Sequence, residues 1–176
     1  LTKTKTIVGG TKTIHIQRIK DLAPDVILCN KEENTQDIVR ECETLCHVHV
    51  TDVATMEDNY ECIKQYGSLF NRHKEAQDII EATKAAIMHL EEQSTHSKKA
   101  PKVAYFIWKN PYMVAGGDTY ISQMLNLVGF ENAFQHINRY PEIRMDDLPG
   151  DLDFAFLSSE PFPFKESHKE AFLEVL

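Results

Sequence analysis

His73 to Gln93, HKEAQDIIEATKAAIMHLEEQ, contains no glycine or proline and is made almost entirely of residues that favour helix. Ala76, Ile79, Ile80, Thr83, Ala86, Ile87 and Leu90 recur at the three- and four-residue spacing of one helical stripe, with charged residues opposite. The stretch reads as a single helix about 30 Å long, roughly the width of a small domain. The chain on its two sides carries similar patterns, so the helix is expected to be a spine. The expected organisation is an N-terminal lobe over 1–72, the backbone helix over 73–94 and a C-terminal lobe over 95–176.

Working outward toward the N-terminus, Thr55 and Asp58 have capping-box spacing and predict a helix running through Ile63 and Tyr66 to Gly67. His47 to Val50 reads as a short strand and Thr35 to Cys46 as a helix. Asp25 to Cys29 is apolar on both faces, as in a parallel strand covered by helices. It opens abruptly into Asn30-Lys31-Glu32-Glu33-Asn34. Ile14 to Leu22 predicts a short helix stopped by Pro24. Beyond the spine, Ser94 to Pro101 is a polar linker ending in proline. Lys102 to Ile107 predicts a buried strand ending at Trp108, and Lys109 to Ala115 a loop. Gly116-Gly117 makes a turn into a helix over Tyr120 to Val128, capped by Asp118 or Thr119. Phe130 to Pro141 is expected to be irregular, Met145 to Leu148 a helical turn, and Asp153 to Leu157 a strand with the polar exit Ser158 to Pro161.

The two halves repeat a theme. Ile19 to Asn30 and Met145 to Ser158 each give a short helix ending in Leu, a Pro/Asp turn, a buried strand and a sudden polar end. The expected fold is therefore α/β, with two small parallel-sheet lobes joined by one long helix.

Composition narrows function by exclusion. Apolar content of 42% with 26% charged residues is ordinary for a globular chain, and a net charge of −8 argues against a nucleic-acid surface. No apolar run approaches the ~20 residues that cross a bilayer. The four cysteines leave the compartment open. Cys29 and Cys62 read as small buried hydrophobes, and Cys42 with Cys46 sit four apart on a helix, just ahead of His47 and His49. Cys42/Cys46/His47 or Cys46/His49 could hold zinc, but the spacing matches no standard ligand pattern, and no metal is expected.

In open α/β sheets, ligands lie beyond the carboxyl ends of the strands. Those ends here are Asn30 to Asn34, Thr51-Asp52, Trp108 to Met113 and Ser158 to Glu160. They are rich in aromatic and amide groups and hold no nucleophile elbow. Gly116-Gly117-Asp118 lacks the lysine and glycine spacing of a phosphate loop. The pattern suits gripping a broad, flat molecule by ring stacking rather than transforming it.

VGGTKTIHIQRIKDLAPDVILCNKEENTQDI, VTDVATMEDNYECIKQYGSLFNRHKEA, IWKNPYMVAGGDTYISQMLNLVGFENAF, RYPEI and LSSEPFPF together resemble the periplasmic solute-binding proteins with a helical backbone. These are receptors of metal-chelate ABC importers, including those for cobalamin, haem and iron siderophores. The resemblance implies a class III receptor: two α/β lobes, one rigid helix and a ligand held between them, with no chemistry performed and no intrinsic cofactor. The ligand would be cobalamin or another corrinoid, or an iron chelate. It implies ligand contacts from Trp108, Tyr112, Met113 and Tyr140, with polar contacts from Asn30, Lys31, Asn34, Ser158, Ser159 and Glu160. Asn30 falls where the cobalamin receptor has an aromatic. Docking on an inner-membrane permease would use Asp146 and, because Gln36 occupies the first-lobe position, the adjacent Asp37. The implied receptor is a monomer, periplasmic or anchored in the cell envelope, with the four cysteines keeping a cytoplasmic location open. Relative to the family pattern, a strand and helix before VGGTK and another pair after the helix at His168 to Leu176 are missing, so a partial chain is expected. The alternatives are an enzyme or metal-binding protein on the same scaffold using Cys42, Cys46 and His47, or an interaction module that has lost its ligand.

Overall fold

A computed structural model describes residues 4–93 and 99–173, so most of the linker predicted at 94–101 lies outside the described residues, as do 174–176 of the last predicted helix. The chain divides into two compact units, Leu1–Asp52 and Val53–Leu176, which places the helices on either side of residue 72 together in the second.

The first unit opens with a hairpin of β1 (Gly9–Gly10) and β2 (Thr13–Ile14). It continues through α1 (Ile16–Leu22), β3 (Val26–Asn30), α2 (Gln36–Glu43) and β4 (His47–Thr51). The first helix starts two residues later than Ile14, because Thr13 and Ile14 pair with the glycines and the His15 amide donates to the Val8 carbonyl at 2.7 Å. Strand β3 runs parallel to β4, from Val26 opposite His47 to Asn30 opposite Thr51. Thr35 caps α2 by accepting from the Ile38 amide, leaving Ile38 and Cys42 to face Ile19 of α1 in a small core.

In the second unit, α3 (Met56–Leu69) begins at the expected capping box: the Thr55 hydroxyl accepts from the Asp58 amide at 3.1 Å, and the Asp58 carboxylate accepts from the Thr55 amide at 2.9 Å. The long helix α4 spans His73–Gln93, the predicted bounds. It packs on α3 where Gly67 meets Ala76, a crossing so close that a Cβ on Gly67 would stand 2.6 Å from the Ala76 Cβ. The apolar stripe of α4 is covered only in part. Ala76 and Ile80 are buried, whereas Ile79 and Leu90 keep 54% and 42% of their surface exposed. Helix α3 has 14 residues against 21 in α4, so it can follow only about two thirds of its neighbour's length.

The sheet of this unit is centred on β5 (Lys102–Trp108), which turns through residues 109–111 into β6 (Tyr112–Val114). After α5 (Tyr120–Leu127) come β7 (Glu131–Asn132), β8 (Glu142–Ile143), a 3-10 turn at Met145–Asp147 and β9 (Phe154–Leu157). A second 3-10 turn, Glu166–His168, leads into α6 (Glu170–Leu173). Strands β7 and β9 lie parallel to β5, while β6 is antiparallel to β5 and to β8. The expected loop Lys109 to Ala115 thus contains a strand: the turn folds Tyr112–Val114 back on β5, a pairing set by tertiary contact that three residues cannot signal locally. Ala104, Phe106, Val114, Phe134, Ile143, Leu152 and Phe172 form the core, with the Phe172 ring 4.7 Å from that of Phe106.

Candidate ligand-binding site

The strand exits of the first unit form a polar loop that satisfies itself. The Asn30 amide donates to Asn34 Oδ1 at 2.8 Å, Asn30 Oδ1 accepts from the Glu32 amide at 2.8 Å, and Asn30 Nδ2 reaches the Thr51 hydroxyl at 3.4 Å. Asn34 Nδ2 donates to the Thr11 carbonyl and Lys12 Nζ to that of Glu32, tying the hairpin turn to the loop. Lys31, immediately after β3, is ion-paired with Asp52, immediately after β4, both largely exposed. The predicted residues Asn30, Lys31 and Asn34 are therefore grouped as expected, and their polar atoms are largely engaged within the loop.

The second unit presents the rings. Trp108 ends β5 with 39% of its surface exposed, and its indole meets the edge of Phe162 at 5.7 Å. Phe162 belongs to the segment after β9, which is held by the Phe162 amide donating to the Ile107 carbonyl at 3.3 Å and the Phe164 amide to the Ser158 carbonyl at 3.2 Å. Ser159 and Glu160 are exposed on that segment. Ser158 is 5% exposed, and its hydroxyl has no partner among the described residues. Tyr112 is half-buried with its ring 5.8 Å from Phe106 and 5.6 Å from Phe172, so it is packed into the core cluster; Met113 beside it is also half-buried. Phe162 lies outside the ligand contacts expected from the sequence. The alternation Phe162-Pro163-Phe164 just after a strand exit was the available signal.

Tyr140 sits on the segment that follows α5 and β7, with the Arg139 guanidinium 5.8 Å from its ring. That segment runs beside residues 114–117 because two glycines admit it. The Gly116 amide donates to the Arg139 carbonyl at 2.7 Å and the Gly117 amide to the Ile137 carbonyl at 2.8 Å. A Cβ on Gly117 would stand 1.9 Å from the Gln135 carbonyl oxygen. The motif is thus a close-approach device, in keeping with its lack of a phosphate-loop pattern. Behind it lies a buried polar network. Asn132 Nδ2 donates to the Ala115 carbonyl and to Ser122 Oγ, each at 3.0 Å, and Asn132 Oδ1 accepts from the Phe134 amide at 3.0 Å. Thr119, the α5 cap, donates to the Gly116 carbonyl and accepts from the Ser122 amide. These bonds brace the Gly116–Gly117 turn and the start of α5 from inside the fold.

Cys42 is 1% exposed against Ile19 and Ile38, and burial, with Cys29, Glu41 and Cys46 nearby, pushes its thiol above the ordinary range. Burial does the same to Cys29. Among the described residues no group of three or more His, Cys, Asp or Glu side chains is placed to hold a metal ion. The two residues with a predicted docking role lie on the surface: Asp37 in the first turn of α2, 3.7 Å from Arg40, and Asp146 in the 3-10 turn, 3.4 Å from Arg144. No helix of the described residues is long and apolar enough to cross a membrane.

The strand exits thus carry a self-bonded polar loop in the first unit and an exposed indole in the second. The chain belongs to the periplasmic binding protein family, whose model matches residues 2–151. A comparison with curated protein sequences gives no match. Solved structures share the fold. A periplasmic haem-binding protein from Pseudomonas aeruginosa superposes with a TM-score of 0.80 at 18% identity, over 95% of this chain and 62% of that one. The haem-binding protein HutB of Vibrio cholerae gives 0.78 at 18% identity, over 97% and 69%. The vitamin B12-binding protein BtuF of Vibrio cholerae gives 0.71 at 18% identity, over 96% and 67%. The chain spans 65% of a periplasmic solute-binding protein from Staphylococcus epidermidis and 56% of a substrate-binding protein of a Listeria monocytogenes ABC transporter.

Proposed function

We propose that the chain belongs to the substrate-binding component of an ABC importer and captures a flat metal chelate, a corrinoid, haem or an iron siderophore, without making or breaking a bond. The observation that carries this reading is Trp108: a large ring left exposed at a strand exit, its orientation fixed by Phe162, in a family of binding proteins. A planar chelate gains area against such a ring at little entropic cost. Met113, Tyr140, Ser159 and Glu160 add contacts from the same unit, and Ser158 supports the loop that carries the last two. Tyr112 acts mainly by seating the β5–β6 hairpin. In the first unit, taken by itself, Asn30, Lys31 and Asn34 offer a preformed polar edge in which Lys31 could exchange Asp52 for an anionic group. The haem and B12 receptors of like fold support this ligand class. Delivery would be to a permease in the membrane, through Asp37 and Asp146, from a periplasmic or envelope location.

The test is a titration with haemin, cyanocobalamin and ferric siderophores while the emission of Trp108, the single tryptophan, is followed. One of them should quench it saturably, and Trp108→Ala should weaken that ligand about tenfold or more by calorimetry. A flat response to all of them, by emission and by heat, refutes the proposal.

A further inference from the structure

Trp108 and Phe162 meet at a steep angle. Their ring centroids stand 5.7 Å apart with 69° between the planes, so the pair makes a corner and not a platform. Trp108 keeps 39% of its surface exposed, and Phe162 is half-buried. The corner is held by the fold itself. The Phe162 amide donates to the Ile107 carbonyl at 3.3 Å, tying its segment to the strand that ends in Trp108. Phe164 at 4.8 Å and the His168 ring at 5.5 Å pack on Phe162, and Phe164 continues to Phe172 of the core at 6.4 Å. Pro161 and Pro163, on either side of Phe162, each have a fixed φ that narrows the conformations of the segment. A ligand that enters the corner therefore has little ordering entropy to overcome there.

We infer that Phe162 is a further ligand-contact residue that determines specificity: with Trp108 it forms a corner for the apolar edge of a porphyrin-type disc, one whose rim carries methyl and vinyl groups. This rests on the reading of Trp108 as the ligand's stacking partner. Rings inclined at 69° cannot both lie flat on one planar molecule. A disc stacked on the more exposed ring, Trp108, turns its rim toward Phe162. A phenyl ring has no hydrogen-bonding group, so what it accepts at that rim is decided by hydration. Methyl and vinyl groups gain contact there and lose only unfavourable exposure to water. A carboxylate or an amide at the same place gives up its water and finds no partner. The chelate classes differ in this respect. The porphyrin of haem has an edge of methyl and vinyl groups opposite its propionates, whereas a corrin carries amide side chains around its whole rim. A ferric hydroxamate siderophore is not a disc and turns peptide groups outward. Of the ligands within the receptor reading, the corner fits the porphyrin.

The test changes only the rim. Haemin is compared with iron coproporphyrin III, which has the same plane and metal but carries propionates where haemin carries vinyl groups. Both are titrated by absorbance and calorimetry into the wild type, Phe162→Ala and Phe162→Leu, with cyanocobalamin and ferrichrome as further ligands. The wild type should bind haemin about tenfold more tightly than iron coproporphyrin III, and more tightly than cyanocobalamin or ferrichrome. Phe162→Ala should weaken haemin about tenfold and iron coproporphyrin III much less, so that the preference between the porphyrins shrinks. Phe162→Leu, which keeps an apolar side chain at the rim, should retain most of that preference. Circular dichroism checks that each variant is folded, and the wild-type comparison can refute the inference even if Phe162→Ala is not. Equal wild-type affinity for the two porphyrins, tighter binding of cyanocobalamin or ferrichrome, or an undiminished preference in folded Phe162→Ala overturns the inference and leaves the receptor reading standing. Failure of every one of these ligands to bind overturns both.

Discussion

Replacing Asn132 by alanine isolates the buried network behind the Gly116–Gly117 turn. The side chain is wholly buried and makes three hydrogen bonds, to the Ala115 carbonyl, Ser122 Oγ and the Phe134 amide. Each bond contributes about 0.5–1.5 kcal/mol net, and a buried amide left without an acceptor costs about 1–3 kcal/mol more. The Phe134 amide is such a group. Ser122 can rotate its hydroxyl and recover part of its loss. The expected destabilisation is therefore about 3–5 kcal/mol, with a small cavity adding to it. For a unit of this size that corresponds to a melting temperature lower by about 10 °C or more. Urea unfolding followed by Trp108 emission, fitted beside Ser122→Ala, measures it. Ser122→Ala deletes one of the three bonds and should cost only about 1 kcal/mol. If Asn132→Ala lies within about 1 kcal/mol of the wild type at unchanged m-value, the network is not the brace described.

Three further outcomes follow from the same geometry. Gly117→Ala places a methyl on the Gln135 carbonyl and should destabilise by about 2 kcal/mol or more while shifting Tyr140 enough to weaken chelate binding, measured by thermal melting and by titration. Thr55→Ala removes the hydroxyl cap of α3 and should cost about 1 kcal/mol, read by urea unfolding, with helical content falling only slightly in circular dichroism. The hydroxyl of Thr55 first, then the Ala54 and Thr55 amides, hold the Asp58 carboxyl below the ordinary carboxylate range. A lowered folded value means that the charged form supports the fold. Its contribution is present above the ordinary aspartate range, near about 4, and disappears as pH falls through the lowered value, so Asp58→Asn should flatten the acid limb of the stability profile.

Much of this was legible because the local signals were strong and agreed. The 3.6-residue stripe from Ala76 to Leu90, free of breakers, gave α4 its bounds, and the Thr55–Asp58 spacing gave the start of α3. Thr119 announced α5 by the same logic. What could not be read depended on partners far along the chain. Strand β6 exists because Phe106 and Trp108 lie across from Val114 and Met113, and the extent to which α4 is covered depends on where α3 ends. At the site, the apolar run from Val103 to Ile107 did mark Trp108 as a strand exit. It could not reveal that Tyr112 turns toward Phe172, or that Asn34 accepts from the Asn30 backbone amide and donates to the Thr11 carbonyl, since both follow from how segments meet. The contact of Phe162 with Trp108 is likewise invisible in the sequence, because it depends on the segment after β9 folding back on β5.

The Gly67–Ala76 crossing has a mechanical corollary. With only the Ala76 methyl between them, the α3 and α4 backbones bear on each other as a notch bears on a peg, so neither helix can slide along its axis without prising the pair apart. A push delivered at the far end of α4 would then be felt at the start of α3, undiminished by slack in the turn at residues 70–72.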